Sequence, residues 1–205
     1  MFLINILLVD DHKLFAKSLA IALEEYEEIE EFHYITQLLD LPEMIKSKKI
    51  DIVLMDINLG KLSTDDGLSI ARGLKKNAPD AKIIMLTGYD LPVYKYEARQ
   101  MGASGFLNKN ISPDQLVDAL LAVNQNQTCF PAEEALIIEE LTSMEKKILS
   151  LVSIGKKRRD IAAELYISER TLSNHLQHIY EKLDVDSSVE AVTKAIQMGY
   201  LAPLF

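Results

Sequence analysis

The sequence predicts an α/β domain with a five-stranded, parallel, doubly wound sheet over residues 1–124, followed by an all-α domain of four helices over residues 141–205. Three observations carry this. Short continuous apolar runs recur early in the chain, at Ile4–Val9, Ile52–Met55, Lys82–Leu86 and Gly105–Leu107, with a weaker one at Glu30–Ile35. Helix-period patterns separate these runs. From Leu141 onward no strand pattern is found.

Continuous apolar strands are buried on both faces, and strands that alternate with helices run parallel. In the first helix Leu14, Phe15, Ser18, Leu19 and Ala22 are expected on the inward face; in the last helix of the domain, Leu116, Val117, Leu120 and Val123. That last helix opens with Ser112-Pro113-Asp114-Gln115, which supplies an N-cap, a proline in the first helical position and a glutamine to close a capping box. Residues 125–140 are polar and then acidic and read as a linker, with a short helix at Pro131–Glu139. Thr142-x-x-Glu145 is a capping box for a helix reaching about Ile154, stopped by Gly155. A short helix over Arg158–Leu165 follows. Ser168 caps a third, to about Leu183, and Ser187-x-x-Glu190 opens a fourth that Gly199 ends.

Composition narrows the class. No apolar run approaches the roughly 20 residues that span a bilayer, and Met1–Asn5 lacks the basic start of a signal peptide, so it reads as a strand. The single cysteine, Cys129, excludes an internal disulfide and a cysteine-cluster metal site, and fits a reducing, cytoplasmic setting. The net charge is −9, unevenly spread: −6 over residues 1–124, −4 over 125–140 and +1 over 141–205. If any part meets a phosphate backbone, it is the last.

In open α/β sheets, sites form at the carboxyl ends of the strands. There the sequence sets Asp10-Asp11 after the first strand, Asp56 after the third, Thr87 after the fourth and Lys109 after the fifth. Clustered carboxylates repel one another and call for a cation, and oxygen ligands favour Mg²⁺ over a transition metal. A lysine and a hydroxyl beside that metal can hold an anion, and a carboxylate can accept a phosphoryl group. Asp10-Asp11 alone would be unremarkable as loop acids; it is the convergence of all five groups that points to chemistry.

These residues, with Val9-Asp10-Asp11-His12 and Gly102-Ala103-Ser104-Gly105-Phe106-Leu107-Asn108-Lys109, resemble the receiver domain of two-component response regulators, a flavodoxin-like fold. The resemblance implies that Asp56 is the phosphoacceptor, supplied by a partner histidine kinase. It implies that Asp11, Asp56 and the Asn58 backbone carbonyl bind Mg²⁺, with Asp10 acting mostly through water. Lys109 would contact the phosphoryl oxygens, Thr87 would swing toward them, and Phe106 would follow as an aromatic switch. The chain departs from the family in places. Leu59-Gly60 stands where Met-Pro is usual, and Gly67 lies eleven residues beyond Asp56 rather than about eight, which lengthens the loop Asn58–Asp66. Asn110 replaces a common proline, and Phe106 stands where many members have tyrosine.

In the third helix of the second domain, Leu172, Leu176, Ile179 and Leu183 form one apolar face; Arg170, Ser173, Asn174, Gln177 and Glu181 lie opposite. Asn and Gln can pair with adenine and Arg with guanine in a major groove, although any solvated helix shows such a face. Lys156-Lys157-Arg158-Arg159 opens the preceding helix, where basic side chains can meet phosphates. Residues 141–201 resemble the LuxR-type helix-turn-helix of the NarL/FixJ branch of response regulators. The carrying residues are Leu141-Thr142, Glu145, Leu149, Gly155, Ile161-Ala162, Leu165, Ile167-Ser168, Thr171, Asn174-His175, Ile179, Lys182-Leu183 and Ala191. This resemblance implies a third helix that reads promoter DNA and a fourth that supports a homodimer formed on phosphorylation. The family usually has Lys in place of Ser173 and often basic residues in place of Gln177 and Glu181, so the recognition helix is less basic than usual. A Mg²⁺-dependent phosphoryl-transfer enzyme is the competing class. It would need an acid/base carboxylate where Asn58 stands and a substrate cap that the chain lacks, so an enzyme is not expected beyond self-phosphorylation and slow autodephosphorylation. An RNA-binding output would need exposed aromatics for stacking, and the sequence offers none.

Overall fold

The structure is a computed structural model, and it describes residues 3–35, 41–60, 62–63, 65–131 and 139–201. Its elements run β1 (Ile4–Val9), α1 (Lys13–Leu23), β2 (Ile29–Ile35), α2 (Leu41–Ser47), β3 (Ile52–Met55), α3 (Gly67–Asn77), β4 (Lys82–Thr87), α4 (Pro92–Gln100), β5 (Gly105–Asn108) and α5 (Pro113–Asn124), then α6 (Ser143–Ser153), α7 (Arg158–Glu164), α8 (Glu169–Leu183) and α9 (Ser188–Met198). The chain divides into two compact units, one built on the sheet and the other on the last four helices. Among the described residues no helix is long and apolar enough to cross a membrane.

All strand pairs are parallel, in the order β2-β1-β3-β4-β5. Alternate residues of each strand enter opposite cores. Val9, Val53, Met55, Ile83, Met85 and Phe106 pack with Leu68, Ala71 and Leu74 of α3 and Ala98 of α4. Ile6, Leu8, Ile52, Leu54, Ile84 and Leu86 pack with Ala16, Leu19 and Leu23 of α1 and with Leu116, Val117, Leu120 and Val123 of α5. Both faces are covered, which is why the strands read as unbroken apolar runs. The strand order reverses beside β1, so a crevice opens at its carboxyl end next to β3.

The expected inward face of α1 needs correction. Ala16, Leu19 and Leu23 are buried, while Ser18 is exposed and Leu14 is 80% exposed. Three residues separate β1 from the helix, so its start stands at the carboxyl edge of the sheet, where Leu14 and Ser18 line a cavity instead of the core, while half-buried Phe15 lines that cavity and also packs against the core. Part of the segment read as a linker lies on the sheet. The Cys129 N–H donates to Ser104 O (3.0 Å) and the Phe106 N–H to Cys129 O (2.9 Å), covering part of the β5 edge. Gly105 permits this, since a Cβ there would sit 2.1 Å from Cys129 Sγ. A glycine inside a strand is the sequence signal for such an approach. Most of the helix expected at Pro131–Glu139 lies outside the described residues.

The helix caps follow the sequence. Ser112 with Gln115 and Thr142 with Glu145 form complete capping boxes, and Ser168 accepts the Thr171 N–H. In α9 only half of the box forms, because Glu190 accepts the Asp186 N–H instead of the N-cap N–H. Leu141, Ile148, Leu149, Ile161, Leu165, Leu172, Leu176, Ile179, Leu183, Ala191 and Ala195 make the core of the second unit. One ion pair sits within it: buried Glu145 accepts from Lys182 Nζ at 2.8 Å and from the Thr142 N–H at 2.7 Å, while Lys182 also donates to Glu140 O. Burial pushes the Glu145 carboxyl up, but the bonds from Lys182 and Thr142 outweigh it and hold it below its ordinary 4.5. A carboxylate of depressed acid constant stabilises the fold above the ordinary value and loses that contribution as the pH falls through the folded one. Glu145→Ala is expected to cost about 1–3 kcal/mol at pH 7, since a charged hydrogen bond is removed and half-exposed Lys182 can rehydrate. Urea melts of wild type and variant should converge as the pH falls below 4.5; a deficit independent of pH would refute this role of the ion pair.

Candidate functional site

Parallel pairing sets Val9 beside Met55, so the residues that follow, Asp10 and Asp56, leave the sheet side by side. Both are buried, Asp10 fully and Asp56 to 2% exposure. The Lys109 N–H is held by Thr87 O at 2.9 Å, and its side chain returns over the strand ends. Lys109 Nζ hydrogen-bonds Asp56 Oδ2 at 2.7 Å and lies 2.7 Å from Asp10 Oδ2. The second contact is a charge contact only: its angles make no hydrogen bond, and buried Asp10 Oδ2 has no hydrogen-bond partner. The ammonium also sits 5.0 Å from the centre of the Phe15 ring.

Asp11 Oδ1 is likewise buried without a hydrogen-bond partner and faces His12 Nδ1 at 2.9 Å. His12 closes the other side, its N–H and Nδ1 meeting Asp10 Oδ1 at 2.8 and 3.1 Å. Ligand atoms of Asp10, Asp11, His12 and Asp56 lie within 4.8 Å of one another. The turn from β1 into α1 brings the His12 ring against both carboxylates. Two orphaned carboxylate oxygens among three acids make a donor set that fits a hard divalent cation. Desolvation raises the Asp56 carboxyl above its ordinary 3.8; Lys109 draws it back, the Asp10 charge pushes it up, and the Asn58 N–H draws it down.

Asn58 thus reaches Asp56 through its backbone N–H, while its side-chain Oδ1 accepts the Gly60 N–H at 3.2 Å. Thr87 is buried at the end of β4, and its Oγ1 accepts the Tyr89 N–H at 3.2 Å. Phe106 is fully buried beneath, in the core. The five strand-end groups therefore fall in two tiers: Asp10, Asp11, Asp56 and Lys109 cluster through direct contacts and ligand proximity, whereas Thr87 borders them through the Lys109 backbone. A cavity of about 760 Å³ opens over Asp56, walled by Leu14, Phe15, Asn58, Tyr89 and Lys109. The long β3–α3 loop closes tightly: Gly67 N–H bonds Ile57 O at 2.9 Å, and a Cβ on Gly67 would lie 1.8 Å from Asp56 O.

In the second unit, Arg170, Ser173, Asn174 and Gln177 all lie on the exposed face of α8, opposite buried Leu172, Leu176 and Ile179. Two of them are engaged within the helix: the Ser173 hydroxyl donates to Glu169 O and Gln177 Nε2 to Glu181 Oε1. Lys156 pairs with Glu164, while Lys157, Arg158 and Arg159 are exposed.

A doubly wound parallel domain with an acidic strand-end site, joined to a four-helix unit with a polar recognition-type helix, defines a two-domain regulatory protein. Family models match both parts: the response regulator receiver domain over residues 6–121 and bacterial regulatory proteins of the luxR family over residues 139–195. The transcriptional regulatory protein DesR of Bacillus subtilis (strain 168) is 32% identical over 97% of this chain and 99% of its own length. The response regulator UvrY of Escherichia coli (strain K12) is 26% identical over 96% and 95%. Among solved structures, the response regulator ChrA of a heme-sensing two-component system is 29% identical, with a TM-score of 0.54 over 98% of this chain and all of that one. RcsB from Salmonella enterica serovar Typhimurium, solved on promoter DNA with a phosphomimetic, shares the fold at 22% identity and a TM-score of 0.63, over 93% of this chain and 97% of that one. The chain belongs to the two-component response regulators that join a receiver domain to a LuxR-type helix-turn-helix DNA-binding domain.

Because the fold holds Asp56 above its ordinary 3.8, it favours the protonated carboxyl, and the ionised form works against stability at neutral pH. Asparagine is neutral at every pH. In EDTA, Asp56→Asn is therefore expected to melt higher than wild type at pH 7, by a margin that shrinks as the pH falls toward 3.8. Melting curves in which the variant is the less stable at pH 7 would contradict this account of the site.

Proposed function

We propose that this regulator accepts a phosphoryl group on Asp56 from a partner histidine kinase and in that state binds promoter DNA as a homodimer in the cytoplasm. The observation that carries the reading is the geometry at Asp56: a buried carboxylate beneath an open cavity, one oxygen held by Lys109, next to two further carboxylates with orphaned oxygens. The Asp56 carboxylate attacks the phosphorus of the donor's phosphohistidine. The nitrogen–phosphorus bond breaks, and its electron pair returns to the donor ring. Asp10, Asp11, Asp56 and the Asn58 carbonyl would hold Mg²⁺, which supplies charge neutralisation for the incoming phosphoryl oxygens. Lys109, released from Asp56, pairs with one of those oxygens. Thr87 turns its hydroxyl toward another, and buried Phe106 fills the space this leaves. The chain catalyses no turnover except the acceptance and slow loss of its own phosphoryl group.

In the second domain, we assign base reading to Arg170, Asn174 and Gln177 with Ser173 beside them, and phosphate contacts to Lys156, Lys157, Arg158 and Arg159. One helix in one groove reads few base pairs, and a segment charge of +1 gives little electrostatic reserve. Two copies on half-sites about one helical turn apart meet that shortfall. Val189, 76% exposed in α9, offers an apolar residue for pairing. Domain limits follow the same reading: residues 1–124 receive, with Cys129 added at the β5 edge, the rest of 125–140 connects and 141–205 bind DNA.

A small phosphodonor with Mg²⁺ is expected to add one phosphoryl group to the intact mass of the wild type and none to Asp56→Asn; the same adduct on both would overturn the assignment. On a site selected from random DNA, Arg170→Ala should cost about 1–3 kcal/mol and relax preference at one position, whereas Lys157→Ala should weaken all sequences alike and flatten the salt dependence. Equal losses on selected and random DNA for Arg170→Ala would remove it from base reading.

A further inference from the structure

We propose that Gly60 is a positioning residue for divalent-cation binding, its missing side chain providing the seat from which Asp11 faces Asp10 and Asp56. The inference rests on the reading that this acidic pocket takes Mg²⁺. Asp11 is only half buried, and two neighbouring carboxylates repel it, with the His12 ring at 2.9 Å on its other side. What lets it stay inward is a fit. Its carboxylate packs directly over the Gly60 backbone: a Cβ on Gly60 would lie 2.1 Å from Asp11 Oδ2 and 3.1 Å from its Cγ. In this position Asp11 Oδ1 is the orphaned oxygen that faces His12 and joins the cluster.

The glycine cannot retreat to make room. It occupies a turn closed by Leu62 N–H to Leu59 O at 2.7 Å and by its own N–H to Asn58 Oδ1 at 3.2 Å. Leu59 is buried, and Leu62 packs on the same core, so the turn is fixed at both ends. The positive φ of Gly60, 46°, belongs to that turn. Against a fixed backbone, the flexible end of Asp11 is what gives way. Any side chain at this position would rotate the carboxylate out of the cluster and remove one oxygen donor, while leaving Asp56 and Lys109 untouched.

Asparagine tolerates positive φ better than other side chains, so Gly60→Asn adds the Cβ with least damage to the turn. Calorimetric Mg²⁺ titration of the full chain is the test, on wild type, Gly60→Asn, Asp11→Ala and the double variant. Gly60→Asn is expected to bind Mg²⁺ about tenfold more weakly or worse, and in the Asp11→Ala background the same change should have no further effect. Wild-type affinity in Gly60→Asn, or an equal additional loss in the Asp11→Ala background, would refute the positioning role. A wild type that takes up no Mg²⁺ would sink the reading of the pocket itself. Should Gly60→Asn fail to fold, the double variant, which lacks the clash, must fold; if circular dichroism shows it unfolded too, the glycine serves only the turn and the proposal fails.

Discussion

The carboxyl edge of the sheet is organised by two acids that parallel pairing forces together. The register of β1 and β3 leaves Asp10 and Asp56 no choice but to emerge as neighbours, and both are buried. Among the described residues, Lys109 is the ammonium that answers them, at 2.7 Å from each. It can hydrogen-bond only one of them well, so the arrangement is balanced in charge yet unsatisfied in geometry. Asp10 Oδ2 meets the ammonium by charge and not by a hydrogen bond, which marks the pocket as a place where an incoming group can form bonds that the folded chain by itself leaves unmade.

The fold was legible because its constraints are local or periodic. Strands buried on both faces must be unbroken apolar runs, and the runs at Ile4–Val9, Ile52–Met55 and Lys82–Leu86 coincide with β1, β3 and most of β4. Caps are spelled by a few adjacent residues, which is why Ser112, Thr142 and Ser168 sit where their spacing put them. The clustering of Asp10, Asp11, Asp56 and Lys109 was legible for a different reason: in a parallel sheet, the residue after each strand has a fixed address.

What was not legible depends on where an element stops or turns. The face of α1 was misjudged at Leu14 and Ser18 because periodicity says which residues share a face, and not that the first turn stands beyond the sheet. His12 carries no metal-like spacing, and its place in the cluster comes from the turn between β1 and α1 that sets its ring against Asp10 and Asp11. The pairing of Cys129 with β5 was hidden because polar flanking residues read as linker, although Gly105 held the clue. The Leu59-Gly60 departure also looked different in one dimension. In the sequence it is a substitution for Met-Pro; in the structure Leu59 is core and Gly60 lies under a carboxylate.

The two units solve the problem of a buried carboxylate in opposite ways, and the contrast separates a structural acid from a reactive one. Glu145 is buried beside Lys182, accepts a backbone N–H as well, and is held below its ordinary acid constant. Its lone pairs are used, and the pair ties α6 to α8. Asp56 is buried beside Lys109, also with a backbone N–H, yet is held above its ordinary value, because desolvation dominates and the Asp10 charge adds to it. The same three ingredients, acid, lysine and amide, thus give stability where no second carboxylate meets the lysine. Where it is divided between two acids under an open cavity, they give a carboxylate whose most favourable partner is not part of the chain.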